Sequence, residues 1–211
     1  MQKLVNKYVW LTVGALYIPV AVKCVMMWDG GRGAAALGSV LPSYFILPLL
    51  VTIAIALANW FEKKIVVDAD GTPQLRRVLV LTVALFLYIH GIILLVPWRR
   101  ENFALLPRLI FVGIGVFFVL LGLLMPHLKR NRVAGVRYTW TLLDPEVWRD
   151  SNRVGGRYTI AMGAVLLVST FIPQQRQMIF STFELWAFII YVVVLTLHSR
   201  LIALKKNPPT T

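Results

Sequence analysis

Long apolar runs separated by short polar or basic segments dominate this chain. They extend from Tyr8 to Trp28, Tyr44 to Phe61, Val78 to Trp98, Leu105 to Met125, Tyr158 to Ile172 and Met178 to Leu201. About 20 apolar residues in a helix cross the hydrocarbon core of a bilayer. The pattern therefore predicts an all-α membrane protein, a bundle of about six transmembrane helices. The fifth run is the shortest, and Pro173 ends it. Trp28, Trp60, Trp98 and Trp186 fall at or near run ends, where an amphipathic ring prefers the interface. Pro19 and Pro48 fall inside runs and are expected to bend them. The pattern divides the chain into an N-terminal three-span half, residues 1–104, and a C-terminal three-span half, residues 105–211.

The longest polar connection, residues 127–157, lies between the fourth and fifth runs. It also carries Trp140, Leu142, Leu143, Val147 and Trp148. Asp144-Pro145-Glu146 is a helix start: Asp caps, Pro takes the first helical position, and Glu suits the positive end of the dipole. A short amphipathic helix is expected from Pro145 towards Gly155-Gly156, lying at the membrane surface.

Composition agrees with a lipid solvent. Of 211 residues 58% are hydrophobic and 15% charged, with a mean hydropathy of +0.73, whereas roughly a quarter of a soluble domain is charged. The net charge of +13 is spread between apolar runs, which marks topology and contact with anionic lipid; direct nucleic-acid binding is not expected. One side gathers Lys3, Lys7, Lys63, Lys64, Arg76, Arg77, Lys129 and the arginines of 127–157, Arg200, Lys205 and Lys206. The other holds Lys23, Arg32, Arg99, Arg100, Arg108 and Arg176. This bias predicts a multi-pass protein with both termini and the 127–157 segment in the cytoplasm. Lys3 and Lys7 ahead of an apolar stretch also resemble a signal peptide, but no clean cleavage site follows, so a retained first helix is expected. The single cysteine, Cys24, excludes an internal disulfide and reads as a packed side chain.

The candidate chemistry is sparse. His90, His127 and His198 lie on separate elements, and no H-E-x-x-H, Gly-x-Ser-x-Gly or phosphate-loop motif occurs. Glu184 and His198 are 14 residues apart, about 21 Å along a helix, too far for one site. We therefore expect no enzyme, no cofactor and no metal. Lys23 and His90 are the candidates for an intramembrane polar site, since charge at membrane depth is costly. A small transporter or channel is the alternative class; it needs a polar path, with His90, Thr82 and Tyr88 as candidates. Gly113 and Gly115 read as close helix packing.

The stretch from Met125 to Gly156 resembles the signature of the SdpI family of bacterial membrane proteins. Pro126, Asn131, Gly135, Arg137, Trp140, Thr141, Leu142 and Trp148 follow the order and spacing of that pattern. Leu123 stands where relatives commonly carry Asn, Thr139 replaces a Pro, and Ser151-Asn152 replaces a Thr-His pair. The resemblance implies an immunity protein of the bacterial cytoplasmic membrane, with a secreted, membrane-active toxin peptide as partner. It also implies a sensing role in which a small DNA-binding repressor is held at the membrane. Asn131, Gly135, Arg137, Trp140 and Trp148 are then the expected functional core, with Pro126 and Thr141 beside them. On residue chemistry, Arg137 offers a fork for a carboxylate or lipid phosphate. Asn131 and Gly135 suit a tight turn, and the two tryptophans suit interfacial anchors.

Overall fold

The computed structural model describes residues 5–29, 33–61, 65–68, 72–95, 105–172 and 177–206. Among these residues the chain is helical, with one isolated bridge and no strand. The helices are α1 (Lys7–Ala15), α2 (Ile18–Asp29), α3 (Gly33–Trp60), α4 (Thr72–Leu95), α5 (Leu105–Leu124), α6 (Thr139–Leu143), α7 (Pro145–Ser169) and α8 (Gln177–Lys206). The expected span ends at Trp98 and Pro173 lie outside the described residues.

Four stretches are long and apolar enough to cross a membrane: Lys7–Val25, Thr72–Leu94, Leu105–His127 and Thr182–Lys206. Tyr44–Trp60 is a shorter apolar helical stretch. Many large apolar side chains on these helices face outward, among them Leu11, Leu50, Trp186 and Leu201. That outward face suits hydrocarbon and would be costly in water.

The first run is broken where its sequence predicts. The Asn6 side chain caps α1, accepting from the Tyr8 and Val9 amides at 3.2 and 3.3 Å. The helix then stops at Ala15, and α2 restarts at Ile18 with Pro19 in its first turn, where the missing N–H leaves no bond unmade. Tyr17, in the break, reaches across to Thr52 of α3 at 3.0 Å.

α7 differs from expectation. The Asp144 cap forms, its Oδ1 accepting from Glu146 and Val147 at 2.7 and 3.2 Å. The helix it starts does not end as a short surface segment. It continues unbroken through Gly155-Gly156 to Ser169, so the polar piece and the fifth apolar run form one rod of 25 residues. Packed neighbours fill the space beside both glycines: Val136, Met125 and Leu195 at Gly155, and chiefly a neighbouring helix at Gly156.

That neighbour is α5, which packs along α7 through facing glycines. A methyl group on Gly122 would lie 2.6 Å from the Gly156 carbonyl oxygen, and one on Gly163 would lie 2.7 Å from that of Gly115. Gly115 and Gly122 are two helical turns apart, as are Gly156 and Gly163, so the seam repeats with the helix and brings backbone against backbone. Gly115 therefore takes the packing role its sequence suggests, whereas Gly113 faces Tyr88 of α4.

A buried cluster joins the two ends of the sequence. Val9, Val13, Leu75, Val78 and Val83 of α1 and α4 continue into Met125, Leu128, Val136 and Trp148. The 127–157 segment is thus packed onto the helices and does not hang from them.

Candidate functional site

The segment after α5 is a tight polar knot. Met125–His127 forms one 3-10 turn with the exposed Pro126 near its start. Asn131 is 2% exposed. Its Oδ1 accepts from the Val133 and Ala134 amides at 2.9 and 2.7 Å, and its Nδ2 donates to the Lys129 carbonyl at 3.0 Å. One amide side chain therefore satisfies three backbone groups of a turn that has no secondary structure to do so.

Gly135 has φ +96°, where only glycine is unstrained. Its open side is filled by Asn152 of α7, whose amide oxygen occupies the place a Cβ would take. Asn152 is fully buried. Its Oδ1 accepts from the Val136 amide at 2.9 Å and its Nδ2 donates to the Trp148 carbonyl at 2.9 Å. Thr141 is also fully buried, its hydroxyl 2.7 Å from the Val136 carbonyl and 2.9 Å from that of Tyr138.

The two tryptophans separate in role. Trp148 is 2% exposed and donates from Nε1 to the Leu128 carbonyl at 2.7 Å. It is a core residue, not an interfacial anchor. Trp140 is half-buried, stacks on Tyr138 with centroids 4.7 Å apart, and lies 5.1 Å under the Arg200 guanidinium. Its Nε1 donates to Ser199 at 3.3 Å, and Tyr138 bonds Thr196, so this corner fastens the knot to α8.

A second fastening runs to the N-terminal half. Residues 65–68 pair antiparallel with the knot through the Val66–Asn131 bridge, and Arg132 donates its amide to the Ile65 carbonyl at 2.9 Å. Beside this bridge Arg130 grips Asp68 in a fork: Nη2 to Oδ1 is 2.9 Å and Nε to Oδ2 is 3.3 Å, with the Arg130 amide adding a bond at 3.1 Å. Burial pushes the Asp68 carboxyl up, but the hydrogen bonds and charge of Arg130 together outweigh it and hold the group below its ordinary value. A carboxyl depressed in this way contributes stability that is present above its unfolded pKa and lost as pH falls through the folded one. The side chains remain 22% and 26% exposed, so solvent screening limits the pair to no more than about 1 kcal/mol. Thermal unfolding in detergent should show Asp68→Asn as the less stable protein at neutral pH. The gap should close below the usual carboxylate range.

Arg137 is exposed and donates from Nη1 to the Arg132 carbonyl at 2.8 Å. The carboxylate fork expected of Arg137 is thus formed by Arg130, and Arg137 presents its remaining donors outward. At the far edge Lys206 Nζ reaches Asp150 at 2.7 Å and Glu146 at 3.0 Å. The Lys206 hydrogen bond pulls the Asp150 carboxyl below its ordinary value, against the effect of burial.

The membrane-depth candidates do not converge. His90 is 3% exposed and its Nε2 has no partner among the described residues, while Lys23 is half-buried on α2. Among the described residues no hydrogen bond joins the two. Thr82 and Tyr88 give their hydroxyls to the Val78 and Leu109 carbonyls, both at 2.9 Å, so neither is turned to a polar path. Asp68, Arg130 and Asn152 were not legible as site residues. Asp68 and Arg130 are 62 positions apart, and their only sequence signal is that acidic residues are scarce in so basic a chain.

These features define a helical membrane protein of several apolar spans, closed at one end by a hydrogen-bonded polar knot. Residues 127–202 match the SdpI/YfhL protein family, and the SdpI-family resemblance of this chain is thereby shown. The chain is also similar to the immunity protein SdpI of Bacillus subtilis (strain 168), 25% identical over 166 residues, which cover 77% of this chain and 76% of that protein. No solved structure matches it.

Proposed function

We propose that this protein is a membrane immunity protein that shields its cell from a secreted, membrane-active toxin peptide. The observation that carries the reading is the knot from Asn131 to Asn152. Its Asn131, Thr141, Trp148 and Asn152 side chains are buried and hydrogen-bonded, while Arg132, Arg137, Arg149, Arg153 and Arg157 stand exposed around it. Arg149, Arg153 and Arg157 recur every four residues and so share one face of α7. A rigid frame presenting a set basic surface suits recognition; a slack connector needs no such frame.

In this reading the chain crosses the bacterial cytoplasmic membrane six times. Tyr44–Trp60 and the apolar half of α7 complete the four longer spans, and halves 1–104 and 105–211 meet at the knot. Both termini and the knot face the cytoplasm, supported by the distribution of lysine and arginine. Toxin engagement among the spans shifts the α5–α7 pair and alters the surface offered to a cytoplasmic partner, a DNA-binding repressor being the candidate. The match to an immunity protein over most of both chains supports the protective role.

Expression in a toxin-sensitive host, challenged with antimicrobial peptides, tests it. Survival should rise with the intact protein. Arg137→Ala should abolish protection at unchanged membrane abundance, because this side chain holds little of the frame. Full protection by that variant would remove Arg137 from the contact surface. No gain in survival against any peptide would count against the function itself.

A further inference from the structure

An apolar groove lies between α7 and α8, open to the outside of the bundle. The part nearer the knot, about 350 Å³, is lined by Tyr158, Ala161, Val165, Trp186, Ile190 and Tyr191. A second part, about 300 Å³, shares Val165 and Phe183 with it and continues along Val168 to Ile172. At the knot end the Tyr158 hydroxyl meets His198 Nδ1 at 3.2 Å and joins the two helices. Arg157 is exposed, directly precedes Tyr158, and lies one turn before Ala161 on the same side of α7. We propose that this groove binds one acyl chain of an anionic phospholipid, and that Arg157, with Arg153 one turn behind it, holds the lipid phosphate.

Depth and charge select that occupant. The inference rests on the six-span reading, in which the apolar half of α7 lies in the bilayer. Ile172 marks the outer end of that half, its carbonyl accepting from Arg108 Nη2 at 3.0 Å. From Arg157 to Ile172 is fifteen residues, about 22 Å of helix, whereas the hydrocarbon core is roughly 30 Å thick. That shortfall is met by local thinning of the bilayer and by arginines reaching outward. Either brings a lipid phosphate onto Arg157. A guanidinium at that depth is costly unless it is paired, and its planar fork matches a phosphate. Among the described residues Arg153 and Arg157 make no hydrogen bond and no ion pair. Asp150, the acid two turns before Arg157, is held by Lys206 at 2.7 Å and does not neutralise them. The chain length fits as well. From Tyr158 to Ser169 is eleven residues, about 16 Å of helix, close to the roughly 15 Å of one leaflet. An uncompensated cation at one end of an apolar trough calls for a charged head on an apolar chain. An apolar peptide segment supplies no such anion.

The test uses the full-length protein reconstituted in vesicles of phosphatidylcholine and phosphatidylglycerol, then extracted and weighed by native mass spectrometry. The intact protein should retain one phosphatidylglycerol, with about a fivefold to thirtyfold preference over phosphatidylcholine, as expected for one to two basic side chains at a membrane surface. Arg153→Gln with Arg157→Gln should remove the preference, and Arg77→Gln, exposed on α4, should leave it. Ala161→Phe, which fills the groove one turn from Arg157 and spares the arginines, should remove retention of either lipid. Thermal unfolding of each variant in lipid-free detergent checks the fold; if Ala161→Phe does not fold, the double arginine variant decides. Equal retention of both lipids by the intact protein overturns the proposal. So does loss of the preference in Arg77→Gln, or unchanged retention in the other folded variants. A groove that cross-links an added apolar peptide and retains no lipid also overturns it. Val165→Cys in a Cys24→Ser background separates this site from the six-span reading. Reaction with a water-soluble maleimide in the same vesicles would put the groove in water, and both would fall. No reaction, together with no lipid preference, overturns the lipid site alone.

Discussion

Gly135→Ala is expected to melt the knot while leaving the spans inserted. At φ +96° an alanine carries a backbone penalty of about 1–2 kcal/mol. The larger effect is steric. The new methyl group falls on the Asn152 amide oxygen, which is buried in α7 and bonded to the Val136 amide. Asn152 must turn away, leaving the buried Val136 amide without its partner, at about 1–3 kcal/mol, while the Trp148 carbonyl keeps only its bond within the helix. The loss should reach about 2–5 kcal/mol when the backbone penalty and desolvation act together. Hydrogen exchange should report it: amides 131–141 lose protection, while those in the middle of α5 keep theirs. Unchanged protection at Val136 would show that the Asn152 bond does not hold this turn.

Gly122→Leu should have an effect of similar size at a different place. The Cβ alone would lie 2.6 Å from the Gly156 carbonyl oxygen and 2.9 Å from the Ile160 amide nitrogen. Both are backbone atoms of α7, so no rotamer change relieves the clash and the helices must separate. Overpacking costs typically 1–3 kcal/mol where side chains can adjust; here only rods can move, so a loss above about 3 kcal/mol is expected. Thermal unfolding in detergent should fall sharply. Gly14→Ala is the control, because nothing lies within 4 Å of its added methyl, and a compatible Gly→Ala change stabilises by about 0.4–1 kcal/mol. Equal behaviour of the two variants would contradict the glycine seam.

How much of this was legible in the sequence follows from the range of each interaction. The capped start at Asp144-Pro145 and the turn at Asn131–Gly135 are local, and both formed as their residues dictate. The break before Pro19 is local as well. The far end of the helix Pro145–Ser169 is not legible, because a Gly155-Gly156 pair suggests an end until Val136, Met125 and Leu195 are seen beside Gly155 and α5 beside Gly156. Trp148 shows the same limit: a tryptophan near a membrane surface reads as an anchor, and only the Leu128 carbonyl 20 positions away reveals it as core. The Asp68–Arg130 fork joins the two halves of the chain and has no local signature. Asn152, one of the departures from the family's Thr-His pair, is the residue around which Gly135 and Val136 close.

The arrangement gives the immunity reading a physical form. The glycine seam makes α5 and α7 a rigid pair, the knot caps that pair, and Arg130–Asp68 ties the cap to the first half of the chain. In the proposed reading a shift among the spans is carried through this pair to the basic surface on α7.

The placement of that surface is most directly tested by labelling Arg153→Cys in a Cys24→Ser background with a membrane-impermeant maleimide. Arg153 is exposed on α7, so the new thiol is reachable wherever the helix end lies in water. Reaction in inverted membrane vesicles and none in intact cells is the predicted result. Reaction from outside intact cells would put the knot on the wrong side of the membrane and contradict the account.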